Sequence, residues 1–186
     1  MRLNDPLTTS IFFEEKEYPI DLSFDNVLDV LEVLRRTDIL MTNKVEIVIY
    51  LLIGKNELDF DQSIRLWDMI RKDYIEIGME KPKKYDVKGN LVPEIEEEES
   101  EQVIDLVADA KYIYASFRQI GINLFHEQGK MQWEEFQALL ESLPDDTIMQ
   151  RVIQIRLWKP MKGESSQYKE QMRKAQSRYR LLGGER

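Results

Sequence analysis

The sequence predicts a mainly α-helical chain. At least five segments repeat apolar residues at the i, i+3, i+4, i+7 spacing of a helix, and only two short runs read as strands. Composition adds a third observation. Apolar residues make up 42% and charged residues 33%, with seven Phe, eight Tyr and three Trp. Those aromatic side chains supply the burial that disordered chains lack. The expected architecture is a multi-helix domain with a candidate N-terminal β-hairpin and a C-terminal amphipathic helix.

The elements follow in order. Ile11-Phe12-Phe13 and Glu17-Tyr18-Pro19-Ile20 predict two strands around a Glu15-Lys16 turn, with Pro19 confining the second to an edge or an end. Phe24, Val27, Leu28, Leu31 and Leu34 then predict a helix capped by Ser23. A second helix is expected from its cap at Thr42 to Ile53, with Gly54 as its stop. A third begins near Asp59, carries Phe60, Ile64, Trp67, Ile70 and Tyr74 along one side, and closes at Gly78.

Residues 79–99 hold Pro82, Pro93, Gly89 and a run of glutamates at 94 and 96–99, so they read as an acidic linker or exposed loop. A helix is expected from a cap at Ser100 through Phe117 to Gly121. Another spans Gln132 to Leu143, with Trp133, Phe136, Leu139 and Leu140 as its stripe. Pro144-Asp145-Asp146 breaks the chain before a helix headed by Ile148, Val152 and Ile155. Pro160 and Gly163 set off a last helix from about Ser165 to Leu182. The organisation expected is therefore 1–78 (hairpin and helices), 79–99 (linker), 100–163 (helical region) and 164–186 (basic helix).

Charge separates the ends of the molecule. The net charge is −9 overall, while eight Lys/Arg stand against three Glu from Lys159 onward. An acidic body with a basic tail disfavours nucleic-acid binding by the whole surface. Without cysteine there are no disulfides, Cys-ligated metals or thiol nucleophiles, which is compatible with a reducing compartment. The first residues lack a signal-peptide pattern, and the most apolar run, Val45 to Ile53, is far short of the roughly 20 residues that span a bilayer.

No catalytic constellation emerges. Gly129, Met131, Glu135 and Phe136 imitate the end of an EF-hand loop, yet its first, third and fifth positions would be Leu124, His126 and Gln128. A hard cation needs several anionic oxygens, so calcium is not expected. His126 is the only histidine, and zinc lacks a ligand set. The pairs Asp105/Asp109 and Glu134/Glu135 read as solvated faces, and Trp67, Trp133 and Trp158 as core. No cofactor is expected.

The C-terminal helix is the candidate protein-binding element. Tyr168, Met172, Ala175, Tyr179 and Leu182 are spaced 4, 3, 4, 3, as along a coiled-coil seam. The seam could pair with a partner, with a second copy, or with the body of its own chain. Its basic flanks, Arg173, Lys174, Arg178 and Arg180, could alternatively meet phosphates.

From Tyr112 to Arg156 the sequence runs through an aromatic helix, Gly121-Ile122-Asn123-Leu124, then Gly129-Lys130 with Trp133 and Phe136. Leu143-Pro144-Asp145-Asp146-Thr147 and Ile153-Gln154-Ile155-Arg156 follow. This succession resembles the phage gene-product-fifteen family of Gram-positive siphophages, and Asp29 to Gly54 is similar to that family's N-terminal half. The resemblance covers most of residues 10–160. It implies a tail assembly chaperone, encoded near the tape measure gene, that binds the tape measure protein or other tail proteins. Such a protein works in the host cytoplasm and is not expected in the mature virion. A minor virion or connector protein is the alternative function, and a DNA-binding regulator acting through the basic tail is the third.

Overall fold

The computed structural model of the protein describes residues 4, 6–76 and 103–181. The expected linker at 79–99, the helix cap at Ser100, the stop at Gly78 and the seam residue Leu182 lie outside the described residues. Two strands, β1 (Ser10–Phe13) and β2 (Lys16–Pro19), come first. The helices among the described residues are α1 (Phe24–Arg35), α2 (Met41–Ile53), α3 (Phe60–Ile70), α4 (Ala110–Gln119), α5 (Trp133–Glu141), α6 (Ile148–Leu157) and α7 (Ser166–Tyr179). The protein is mainly α with a small N-terminal antiparallel hairpin.

The described residues form two compact units. One takes those before 77 together with 125–139, and the other takes 103–124 and 140–181. The region 100–163, read from sequence as one stretch, thus contributes to both.

In the first unit, β1 and β2 pair antiparallel with Ile11 opposite Tyr18, and both side chains are buried. Phe12, opposite Glu17, faces solvent. The turn is Glu14-Glu15, at φ +46° and +65°, one residue earlier than the spacing suggested. Left-handed backbone at both central positions matches strand twist but costs energy for residues with a Cβ. The Glu14 carboxylate offsets that cost by reaching α3, where it accepts from Gln62 Nε2 at 2.8 Å and Arg65 at 2.6 Å.

The helices of this unit start and stop for local reasons. Asp59 and Gln62 form a reciprocal capping box at α3. Two expected caps are corrected. The Ser23 side chain makes no cap bond, because Ser23 sits in a backbone bridge to Gln132 and its hydroxyl is buried without a partner. Thr42 is already inside α2, whose N-cap is Leu40. Gly54, at φ +71°, ends α2 as expected. Beyond Ile70 the chain widens into a π-helical turn, Arg71–Ile75, which leaves Ile75 buried and its carbonyl free of the α-helical ladder.

Residues 125–139 complete this unit. The Phe24 amide donates to the Met131 carbonyl at 3.0 Å, and the Trp133 amide donates to the Leu22 carbonyl at 2.8 Å. Each bond satisfies the first orphan amide of a helix with a carbonyl from the strand-like residues ahead of the other helix. The Trp133 indole donates to the Ile75 carbonyl at 3.0 Å. The Phe24 ring stacks on Phe136 at 5.1 Å, and Trp133 on Phe136 at 5.6 Å. Val27, Val30, Val48, Ile49, Leu52, Leu66 and Ile70 are among the other core side chains.

The second unit is built on α4, α6 and α7. Phe117, Ile113, Leu124, Leu143, Met149 and Val152 are its buried apolar residues, and the buried Ser116 hydroxyl accepts from the Met149 amide at 3.0 Å. The helix expected from Ser100 begins only at Ala110. Asp105 is the physical reason, since its carboxylate accepts from the amides of Val107 and Ala108 and folds 105–109 into a turn. Asp109, expected on a solvated face, is instead only 1% exposed. It accepts a forked pair of 2.7 Å bonds from Arg156, itself 11% exposed. The same guanidinium donates to the carbonyls of Val103 and Tyr179.

Two outcomes are expected. Arg65 and Gln62 hold the Glu14 carboxyl below its ordinary range. The contribution of this clamp is complete above the ordinary glutamate value and is lost as pH falls through the depressed folded value. Protection factors of the hairpin amides, referred to the intrinsic exchange rate at each pH, should fall as pH drops through that window and stay level near neutral pH. In the second unit, Arg156→Met strands a buried carboxylate and should cost about 3–5 kcal/mol in urea unfolding. The double change with Asp109→Leu should cost clearly less than Arg156→Met alone, so equal costs would exclude the pairing as the cause.

Candidate protein-docking site

α2 is apolar on more of its circumference than its packing uses. Val45, Val48, Ile49, Leu52 and Ile53 are buried against the first unit. On the opposite side, Leu40 (73% exposed), Ile47 and Tyr50 (63% exposed) follow one another at spacings of seven and three, along one line of the helix. A helix that is hydrophobic all round is normally buried, so this outward stripe is the anomaly that calls for a partner.

The stripe borders a shallow groove of about 400 Å³ between α2 and the segment leading into α3. Ile47, Ile49, Tyr50 and Leu58 provide its apolar lining, and Glu46 and Lys55 its charged margin. Asn56 shapes the floor: its side-chain Nδ2 donates to the Gly54 carbonyl, and its Oδ1 accepts from the Leu58 backbone amide at 3.1 Å. This local Asx turn lets the chain reverse directly after α2 and hold Leu58 against it. A groove of this kind accommodates apolar side chains projecting from a helix or an extended segment.

The sequence singled out a different surface, the α7 seam. Tyr168 is exposed, while Met172, Ala175 and Tyr179 are half-buried against their own unit. Tyr179 meets the Tyr112 ring edge-on at 5.7 Å, and Tyr168 meets Trp158 at 6.2 Å. Of its basic flanks, Lys174 pairs with Glu170 at 2.8 Å and Arg178 lies over the Tyr179 ring.

The groove along α2 was missed because the helix from Thr42 to Ile53 reads as one apolar run without separate faces. The signal was present: Leu40, Ile47 and Tyr50 lie outside the arc occupied by Val45, Ile49 and Leu52.

The other sequence candidates find structural roles. Gly129, at φ +67°, makes the turn ahead of α5, and its amide donates to the Asp25 carboxylate at 2.9 Å. The EF-hand imitation is thus a glycine turn tied to α1. Among the described residues, no group of three or more His, Asp or Glu is placed to hold a metal ion. Glu135 is exposed, and Trp67 and Trp133 are core. Trp158 is half-buried and donates to Glu164 at 3.3 Å. No described helix is long and apolar enough to cross a membrane.

Comparison with known proteins decides the family. The family described as Bacteriophage Gp15 protein matches residues 3–181. The chain belongs to that family. The match takes in both compact units, so the groove on α2 and the α7 seam both lie within the family region. No curated protein and no solved structure matches the chain.

The two faces of α2 should respond differently to substitution. Ile47→Glu and Tyr50→Glu should leave the urea-unfolding free energy within about 0.5 kcal/mol of the parent. Ile49→Ala, on the same helix, should cost about 2–5 kcal/mol. A large loss from the outer changes would show that the stripe is covered within the chain.

Proposed function

We propose that this member of the bacteriophage Gp15 family is a tail assembly chaperone that binds the tape measure protein through the apolar stripe and groove of α2. The observation that carries this reading is the outward line of Leu40, Ile47 and Tyr50 beside the groove. A tape measure protein is a long helical client (an expectation that rests on the family resemblance to siphophage products). Its amphipathic helices would lay apolar side chains into such a groove in the helix-in-groove manner. A shallow site gives affinity that can be surrendered when the tail tube closes round the client. The acidic body supplies solubility meanwhile.

On this reading the protein acts by binding and not by catalysis. It works in the host cytoplasm and is left behind by the finished particle. Its clearest carboxylate candidate, Asp109, is already engaged in holding the second unit together.

Co-expression with the phage's own tape measure protein tests the proposal. The parent chain should keep the client soluble and co-purify with it, and Ile47→Glu/Tyr50→Glu should abolish both effects while remaining folded. Client solubility that is indifferent to this chain would refute the reading. Recovery of the protein in purified virions by mass spectrometry would favour a structural tail component.

A further inference from the structure

α7 is held in a way that makes it detachable. None of its residues is fully buried. Its half-buried face, Met172, Ala175, Gln176 and Tyr179, rests on α6 and on the Tyr112 ring of α4. The polar ties are few and specific. The Gln176 side-chain Nε2 donates to the carbonyls of Arg156 and Trp158 at 3.3 and 2.9 Å, and Arg156 Nε donates to the Tyr179 carbonyl at 2.7 Å. Gln176 thereby satisfies two carbonyls at the end of α6 that the helix itself leaves open. A 14-residue helix is marginal in water by itself, so α7 is stable only while it occupies a seat of this shape.

The connection between α6 and α7 is short and bent. Trp158 is extended, Pro160 is fixed in φ, and Gly163 sits at φ +98°, a value that residues with a Cβ rarely adopt. This turn is what returns α7 to the α6 of its own chain. Straightened, the same residues would carry α7 away to a seat elsewhere. The one helix shown to fit that seat is α7 itself, so a second copy of the chain is the occupant that the contacts specify.

We infer that two copies of the protein pair by exchanging α7, each seating its last helix on the α4–α6 face of the other through an opened Pro160–Gly163 hinge. Every seat contact is reused in the exchanged pair, so only the hinge and the association entropy distinguish the two forms. Two consequences follow that a simple surface contact would not share. Changes in the hinge should shift the balance between single and paired chains. Changes in the seat should weaken both forms alike and leave that balance where it was.

The experiment uses the full chain, whose lack of cysteine permits clean labelling. Sedimentation across a concentration series should show a monomer–dimer equilibrium. Gly163→Val, which strains the closed turn in each of two hinges, should shift it toward dimer roughly tenfold or more. Deleting Met161 and Lys162, so that the hinge cannot close, should act the same way. Gln176→Ala should speed exchange without moving the equilibrium. With a donor on Gln154→Cys of one population and an acceptor on Ser177→Cys of another, intermolecular energy transfer should rise with dimer formation.

The proposal is overturned if the parent and both hinge variants stay monomeric. It is equally overturned if the dimer forms without energy transfer, or if it is indifferent to the hinge and is lost with Met172→Glu, the mark of a seam-to-seam coiled coil. None of these results bears on tape measure binding, which is read by co-expression and needs only the α2 groove.

Discussion

The first unit depends on one exchange of backbone hydrogen bonds. Leu22-Ser23-Phe24 and Met131-Gln132-Trp133 run antiparallel for a single bridge, and each segment leads at once into a helix. The two amides that open those helices would otherwise be orphan donors at the edge of a core. Because each finds the other segment's carbonyl, α1 and α5 start side by side with Phe24 and Phe136 stacked between them. Asp25 adds a third tie by accepting from the Gly129 amide. The bridge fixes where Trp133 goes, and Trp133 in turn satisfies the carbonyl left open by the π turn at Ile75. Loss of the bridge would release the helix starts, the aromatic stack and the end of α3 together.

The helices were legible because their periodicity is strong: Val27, Trp67, Ile70, Phe117 and Val152 of the expected stripes are buried, although Phe60, expected on the α3 stripe, is 40% exposed at the first residue of that helix. The glycines at 54 and 129 and the helix starts near Asp59 and Ser165 were equally readable, since their chemistry is local, whereas the α6 cap is Thr147, one residue beyond the Pro144-Asp145-Asp146 break. Ser23 shows where local reasoning fails. It has the right side chain for a cap, but a partner more than 100 residues away claims its backbone, and its hydroxyl is left without a bond. The turn at 105–109 is a similar case. Its apolar spacing suits a helix, and the Asp105 carboxylate offers the amides a competing partner.

Charged residues were the hardest to place. Asp109 looked like one more acid on a polar face, and Arg156 like the end of a family motif. Together they form a buried fork that also collects the carbonyls of Val103 and Tyr179. A guanidinium can do this because its donors lie in a fixed plane, and removing it from water is tolerable only when nearly all are matched. No one-dimensional pattern signals such a convergence of four segments. The groove on α2 was missed for a different reason: Thr42 to Ile53 reads as one apolar helix with no faces distinguished, although Leu40, Ile47 and Tyr50 lie off the arc of its buried residues.

The interleaving of the first unit has a consequence for synthesis on the ribosome. The chain emerges from its N-terminus, so the hairpin and α1–α3 are complete long before residues 125–139 exist. At roughly 5–20 residues per second, the interval between Ile75 and Trp133 is about 3–12 s. During that time Phe24 lacks its stacking partner, and the Ile75 carbonyl has no indole to meet. The nascent protein therefore carries a half-built apolar core in a cell crowded with other chains, and it closes that core only with its second segment. Until then the exposed half-core needs shelter of its own.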